Sequence, residues 1–459
     1  MNGTGLNSLI LAGFLILAVL QPASAQIRAV WVATAHRIDF PKTNGAAAQQ
    51  AELKALMSAA HQSGINTLIF QARGRGDAFY QSEHEPWSES LTGTLGQSPG
   101  WDPLQMVLAE TTNHPMRVIA WFNVFKVADA TSQTRSASGL RHPAEANPGW
   151  ILRAGGESFL NPGIPAVRDY LARVAADLVR RYAVDGIQLD FIRYPTTRFD
   201  DASTLKKYKD PSQSAADFRR WAVSETVRQI HQAVKAIRPG IEVSAAPLGI
   251  WKSIDGARGL ESYHEVFQDS RGWTAAGYLD AIYPQIYWPA GGISDGVNPG
   301  PAPDFNRLID DWVAGCRPVP VVAGIGIYKP PVLAQADRLE SYSLQAGAAG
   351  VAFYSWSQFI NMKQPARQET KPTLPPVTSN QEPMAAVSLH RLSKSHVFLV
   401  FREGREEPVT IRFADPGGSV LEEVKTTGES SRLFTVPAGT QRIRIFTKKE
   451  VLLTESVWK

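Results

Sequence analysis

The 459-residue sequence predicts a (β/α)8 TIM barrel with enlarged loops, followed by a small all-β, sandwich-like C-terminal domain. Eight short apolar, strand-like segments recur between residues 27 and 355, most of them followed by a stretch of helical periodicity. Their count and near-equal spacing favour closure into a barrel over a doubly wound sheet. Beyond residue 363 the composition turns to Pro, Gln and Thr. Short alternating segments follow, parted by turn formers such as Pro416-Gly417-Gly418.

In chain order, Ile27 to Ala33 reads as the first strand, and Ala46 to Ser63 as a helix stopped by Gly64. Asn66 to Ala72 is the second strand. Asp102 and Pro103 open a helix as N-cap and first residue, which makes Asp102 a structural cap. Met116 to Asn123 is the third strand, and the excursion Val124 to Pro162 leads into a helix over Ile164 to Tyr182. The fourth strand lies within Asp185 to Pro195, where Ile187, Leu189 and Phe191 alternate with Gln188 and Asp190. Gly186 is expected to turn the chain from the helix into that strand, and Pro195 to end its pairing. Then come a helix over Ser214 to Ile237, a fifth strand Ile241 to Ala246, a sixth Leu279 to Tyr287, and a helix from Asp304 to Gly315. A seventh strand Val319 to Gly324, a helix Pro331 to Ala346 and an eighth strand Gly350 to Ser355 complete the barrel. Six short strands are expected between Ala386 and Phe446.

The expected organisation is therefore a signal peptide at 1–25, a barrel at 26–362, a Pro-rich linker at 363–383 and an accessory β-domain at 384–459. Leu9 to Leu20 is an apolar run too short to span a bilayer comfortably, and Ala23-Ser24-Ala25 supplies a cleavage pattern. The protein is thus expected to be exported, periplasmic or extracellular, with no membrane span in the mature chain. An uncleaved anchor is the alternative.

The net charge of +4 is scattered rather than gathered in a patch, which argues against a nucleic-acid partner. Cys316 is the single cysteine, so no disulfide forms within the chain and no thiolate metal site is available. No His/Cys/Asp set has ligand spacing, and neither a Gly-x-Ser-x-Gly elbow nor a P-loop is present. No metal and no cofactor are expected.

In a barrel of this kind chemistry gathers where the strands end. A carboxylate at the end of an apolar strand needs a partner or a task, and Asp190 is the first catalytic candidate; a salt bridge to Arg193 is the structural alternative. Asp77 and Asp39, which follow the second and first strands, are the candidates for a second catalytic carboxyl group. Glu83, Glu85, Asp255 and Asp295 lie deeper in loops. The other strand ends are rich in groups that suit sugars, because aromatic faces stack on pyranose C–H faces while amides and guanidinium groups bond hydroxyls. The substrate-binding candidates are Trp31, Gln71, Arg73, Trp121, Asn123, Arg193, Tyr194, Trp251, Gln285, Tyr287, Trp288, Tyr354 and Trp356.

Several segments carry a resemblance. Arg28-Ala29-Val30-Trp31-Val32-Ala33-Thr34, Ala78-Phe79-Tyr80, Pro86-Trp87-Ser88, Ala120-Trp121-Phe122-Asn123 and Asn161-Pro162-Gly163-Ile164-Pro165 belong to it. So do Asp185 to Pro195, Pro247-Leu248-Gly249-Ile250-Trp251 and Pro284-Gln285-Ile286-Tyr287-Trp288. In this order they resemble the family-10 glycosyl-hydrolase-like proteins, which are distinct from the xylanases sharing that number. The resemblance implies an exported TIM-barrel glycosidase acting on a glycan, with bacterial cell-wall peptidoglycan as substrate and Asp190 as the catalytic position. Some relatives carry a second acid where this chain has Phe191. The fourth-strand stretch is also similar to the chitinase pattern Asp-x-x-Asp-x-Asp-x-Glu, but Gln188 and Ile192 replace its second Asp and its proton-donating Glu. The alternative is a barrel that binds cell-wall glycan without cleaving it.

Overall fold

The computed structural model describes residues 26–362, apart from 138, 298 and 299, together with seven strands between residues 387 and 457. The expected signal segment and the linker lie outside the described residues.

The eight barrel strands are Ile27–Val32, Thr67–Arg73, Arg117–Asn123, Gly186–Asp190, Glu242–Ala245, a sixth in two pieces, Val322–Ile325 and Gly350–Phe353. All pair in parallel, and the eighth returns to the first. The pieces of the sixth, Ala281–Ile282 and Gln285–Ile286, pair with the fifth and the seventh strand respectively. Bridges Leu248 to Gln285 and Ile282 to Val321 close the ring. A continuous sixth strand was expected. Pro284 has no N–H to give to a ladder, so regular pairing breaks there, while its carbonyl still accepts from Gly324 N at 3.0 Å.

Alternation along the strands sorts side chains into two shells. Ala29, Trp31, Ile69, Ile119, Trp121, Tyr283, Val322 and Ala352 pack together inside the barrel. Their neighbours Val30, Leu68, Val118, Phe122, Ile187, Leu189, Val243 and Phe353 join the core shared with the helices. Gln188 and Asp190 fall on the inward face. Gln188 Oε1 accepts a 2.6 Å hydrogen bond from Trp31 Nε1 across the interior. Gly186 is not a turn residue. It is the first residue of the strand, and a Cβ there would stand 2.7 Å from Ile119 Cδ1 and 2.9 Å from Glu242 Cβ. Close strand approach, not a turn, requires glycine at this position.

The helices begin where their caps place them. Asp102 accepts from Gln105 N, Ser214 from Asp217 N, and Asp304 from Asn306 N and Arg307 N. The helix expected over Pro331 to Ala346 is two, Pro330–Leu333 and Ala336–Gln345. Helices Ala202–Tyr208, Ser262–Glu265 and Ser270–Ala275 occupy loops in which none was expected. The excursion after the third strand holds a small antiparallel sheet of Lys126–Ala128, Ile151–Ala154 and Glu157–Leu160.

C-terminal to the barrel, two antiparallel sheets form, one of three strands and one of four. The strand Leu452–Val457 adds a seventh to the six expected. Among the described residues no helix is long and apolar enough to cross a membrane.

Candidate active site

Asp190 is the last residue of the fourth strand and points into the barrel mouth. Its Oδ1 accepts from Phe191 N at 2.6 Å and from Gln285 Nε2 at 3.1 Å. Gln285 is itself held by the Ala246 carbonyl at 3.0 Å. The Trp121 indole N–H lies between Asn123 Oδ1, 2.8 Å away, and the Asp190 carboxylate. Asn123 in turn donates to the Gly74 carbonyl at 2.8 Å. Burial raises the Asp190 carboxyl from 3.8 to about 6, against the opposing pull of the Phe191 N–H, the Arg193 charge, Gln285 and Trp121.

Aromatic rings wall this carboxyl. Tyr287 and Tyr354 stack at 5.6 Å with their planes 19° apart, and Tyr328 stands edge-on to both at 5.9 and 5.8 Å. Trp31 and Trp121 meet Tyr354 edge-on at 6.3 and 6.4 Å. Burial holds the phenols of Tyr287 and Tyr354 above the ordinary tyrosine range, and the Asp190 charge adds to this at both. The barrel thus brings Trp31, Trp121, Asn123, Arg193, Gln285, Tyr287 and Tyr354 around Asp190.

Other expected site residues are engaged elsewhere. Arg73 is fully buried and meets Glu85 through two hydrogen bonds of 2.7 and 2.6 Å, while its third nitrogen reaches the Asn123 and Val124 carbonyls. It is a bolt for the end of the third strand rather than a sugar contact. Gln71 Oε1 accepts from Thr34 N and Ala35 N at 2.9 and 2.8 Å, which fixes the loop after the first strand. Tyr194 is buried against Phe199 and Phe267. The Trp251 ring already carries Lys252 Nζ at 4.3 Å and Arg271 Cζ at 4.6 Å. Trp356 packs on Phe359 of its own helix. Trp288 is half-buried and packs at Gly249, where a Cβ would stand 2.8 Å from its ring.

The candidate second carboxylates are also committed to backbone groups. Asp39 accepts from Ala33 N at 2.8 Å through one oxygen, and from Ser355 Oγ and Ser357 N at 2.9 Å through the other. It latches the end of the first strand to the end of the eighth. Asp77 accepts from Arg75 N at 2.8 Å and closes a turn. Glu85 is held by Arg73, and Asp295 by Lys329 at 2.7 Å.

Sequence reasoning missed Lys126 and Glu157, an ion pair on the small sheet beside Phe191. The signal for that hairpin was Gly155-Gly156 between two short apolar runs; both glycines take positive φ, 59° and 82°. No spacing rule joins Lys126 to Glu157 across 31 residues. Among the described residues no three His, Cys, Asp or Glu side chains converge as a metal site.

A closed barrel with an inward carboxyl at the end of its fourth strand, set in an aromatic mouth, is the arrangement of a TIM-barrel glycosidase. The chain belongs to the family Glycosyl hydrolase-like 10, whose profile matches residues 26–329. It is 35% identical over 297 residues to Glycosyl hydrolase DigH of Escherichia coli (strain K12), an alignment covering 59% of this chain and 68% of that protein. It is 33% identical over 344 residues to Glycosyl hydrolase YngK of Bacillus subtilis (strain 168), covering 71% of this chain and 66% of that one. Among solved structures it is similar to the PgaB (BpsB) glycoside hydrolase domain from Bordetella bronchiseptica, with 13% identity, a TM-score of 0.48, and 72% and 94% of the two chains covered.

Proposed function

We propose that this glycosidase is exported and hydrolyses the glycan strands of bacterial cell-wall peptidoglycan, with Asp190 delivering the proton to the departing glycosidic oxygen. One observation carries the catalytic part of this reading. An inward carboxyl, lifted by burial to about 6, stands at the end of the fourth strand within the aromatic mouth. A carboxyl in that range is still partly protonated near neutral pH and is strong enough to protonate an ether oxygen as the C–O bond breaks. The mouth of Tyr287, Tyr328 and Tyr354 supplies apolar surface for the flanking pyranose rings. The apolar segment Leu9 to Leu20 with Ala23-Ser24-Ala25 supports export.

Turnover of peptidoglycan strands stripped of peptide, followed as new reducing ends, tests the reading on the purified protein. Retention of the glycan without new reducing ends, across a broad glycan set, favours a non-catalytic binding barrel and overturns it. The proton role has its own signature. Asp190 must be protonated to act as the acid, so kcat/KM is expected to fall about tenfold per pH unit once pH rises through about 6. A profile flat from pH 5 to 8 removes Asp190 from the acid role.

A further inference from the structure

We propose that Arg193 selects the substrate by binding a carboxylate carried on the glycan, so that the enzyme prefers acidic chains, bearing lactyl-ether or uronic carboxylates, to neutral ones. This rests on the reading of Asp190 as the catalytic carboxyl, which lies three residues before Arg193 in the chain.

The geometry of the guanidinium points to it. Arg193 Cζ sits 5.1 Å above the Phe191 ring, and Lys126 Nζ sits 5.1 Å from the same ring. Phe191 is held at φ +46°, in the left-handed region that a bulky residue seldom adopts unless its surroundings enforce it. That bend turns the ring into a plate on which the guanidinium rests. Among the described residues its hydrogen bonding amounts to a long contact, 3.4 Å, from Nη1 to the Tyr194 carbonyl.

The nearby carboxylates are spent elsewhere. Asp190 is held by Phe191 N and Gln285, and Glu157 is paired with Lys126. Both act on Arg193 through space, and neither forms an ion pair with it among the described residues. Burial lowers its pKa below the ordinary arginine value, the mark of a charge that has given up water without full compensation.

Other arginines of this barrel are treated differently. Arg73, Arg219 and Arg228 each grip a carboxylate through two N–H bonds, to Glu85, Asp201 and Glu225. Arg193 has the same planar fork with its donors largely unspent. A hydroxyl satisfies one donor, whereas a carboxylate takes two in parallel and also compensates the desolvated charge. The complementary ligand is therefore a carboxylate on the glycan bound at Asp190, whose charge acts on Arg193 through space.

The test uses the full chain and three probes. They are an oligosaccharide of alternating N-acetylglucosamine and N-acetylmuramic acid with free lactyl carboxylates, the same chain with those carboxyls reduced to alcohols, and an oligouronate. Wild type is expected to show at least a tenfold higher kcat/KM on the lactyl-bearing chain than on its reduced form. R193Q is expected to erase that ratio, and R193K, which keeps the charge but not the fork, to retain a small part of it. Equal turnover of acidic and reduced chains by wild type overturns the assignment, as does R193Q slowing both by the same factor. Preference for the oligouronate over the lactyl chain keeps the Arg193 site and names the other source of the carboxylate. Calorimetric binding of the same probes to D190N separates this inference from the catalytic one. Tighter binding of an acidic probe that R193Q abolishes, with no turnover by wild type, keeps the Arg193 site and sinks the hydrolase reading. Absence of any acid-dependent binding sinks the Arg193 site itself.

Discussion

D190N is expected to lower kcat by about 10²–10⁴-fold while leaving the fold intact, and to be more stable than wild type at alkaline pH. The two hydrogen bonds that Asp190 accepts, from Phe191 N and Gln285 Nε2, both end on Oδ1. An asparagine carbonyl replaces that oxygen without disturbing either donor, and its amide takes the place of Oδ2, where the transferable proton resides. Activity is lost because an amide has no proton to give at this strength. The stability change has the opposite sign. In wild type the folded carboxyl titrates near 6 and the unfolded one near 3.8, so folded chains hold the extra proton between those values. Ionisation of Asp190 therefore destabilises the folded state progressively from about pH 4 to pH 6, by roughly 3 kcal/mol once complete. The asparagine avoids that cost. Melting curves of the pair should coincide near pH 3.5 and part by pH 8, with D190N the higher. A mutant that melts early at every pH would make Asp190 a structural residue, and near-normal turnover in a folded mutant would end its catalytic assignment.

E85Q is expected to destabilise the barrel by about 3–5 kcal/mol, although Glu85 lies in a loop and takes no part in the proposed reaction. The Arg73 and Glu85 side chains are both fully excluded from water, and Tyr170 donates a further 2.8 Å hydrogen bond to the same carboxylate. Glutamine leaves a buried guanidinium without its counter-charge and faces one of its N–H groups with an amide that also donates. Because Arg73 also holds the Asn123 and Val124 carbonyls, the end of the third strand that carries Trp121 should loosen with it. The paired replacement R73M/E85L removes the unpaired charge and is expected to recover part of the stability, short of the whole because the Asn123 and Val124 carbonyls and the Tyr170 hydroxyl lose a partner. Urea unfolding of wild type, E85Q and R73M/E85L decides it. Equal loss in E85Q and in the double variant would mean that packing volume, not the unpaired charge, sets the effect.

The sequence by itself determined the barrel, because its determinants are local. Continuous apolar runs such as that in Thr67–Arg73 and helix caps such as Asp102, Ser214 and Asp304 act over a few residues, and the observed elements begin where those residues place them. It also determined that Asp190 ends an apolar strand with its side chain on the polar face. Which strand-end residues meet one another was decided by closure of the barrel. Gln285 reaches Asp190 across 95 positions, and Trp31 reaches Gln188 across 157. Arg73 and Arg193 look alike in the sequence, each an arginine just after an apolar strand. Three-dimensional packing set Glu85 against the first and an aromatic plate beneath the second, so one became a buried bolt while the other kept its donors. Asp39 and Asp77 divide from Asp190 for the same reason. A carboxylate is equally suited to backbone N–H groups and to a substrate, and the choice depends on which amides the folded chain brings within reach.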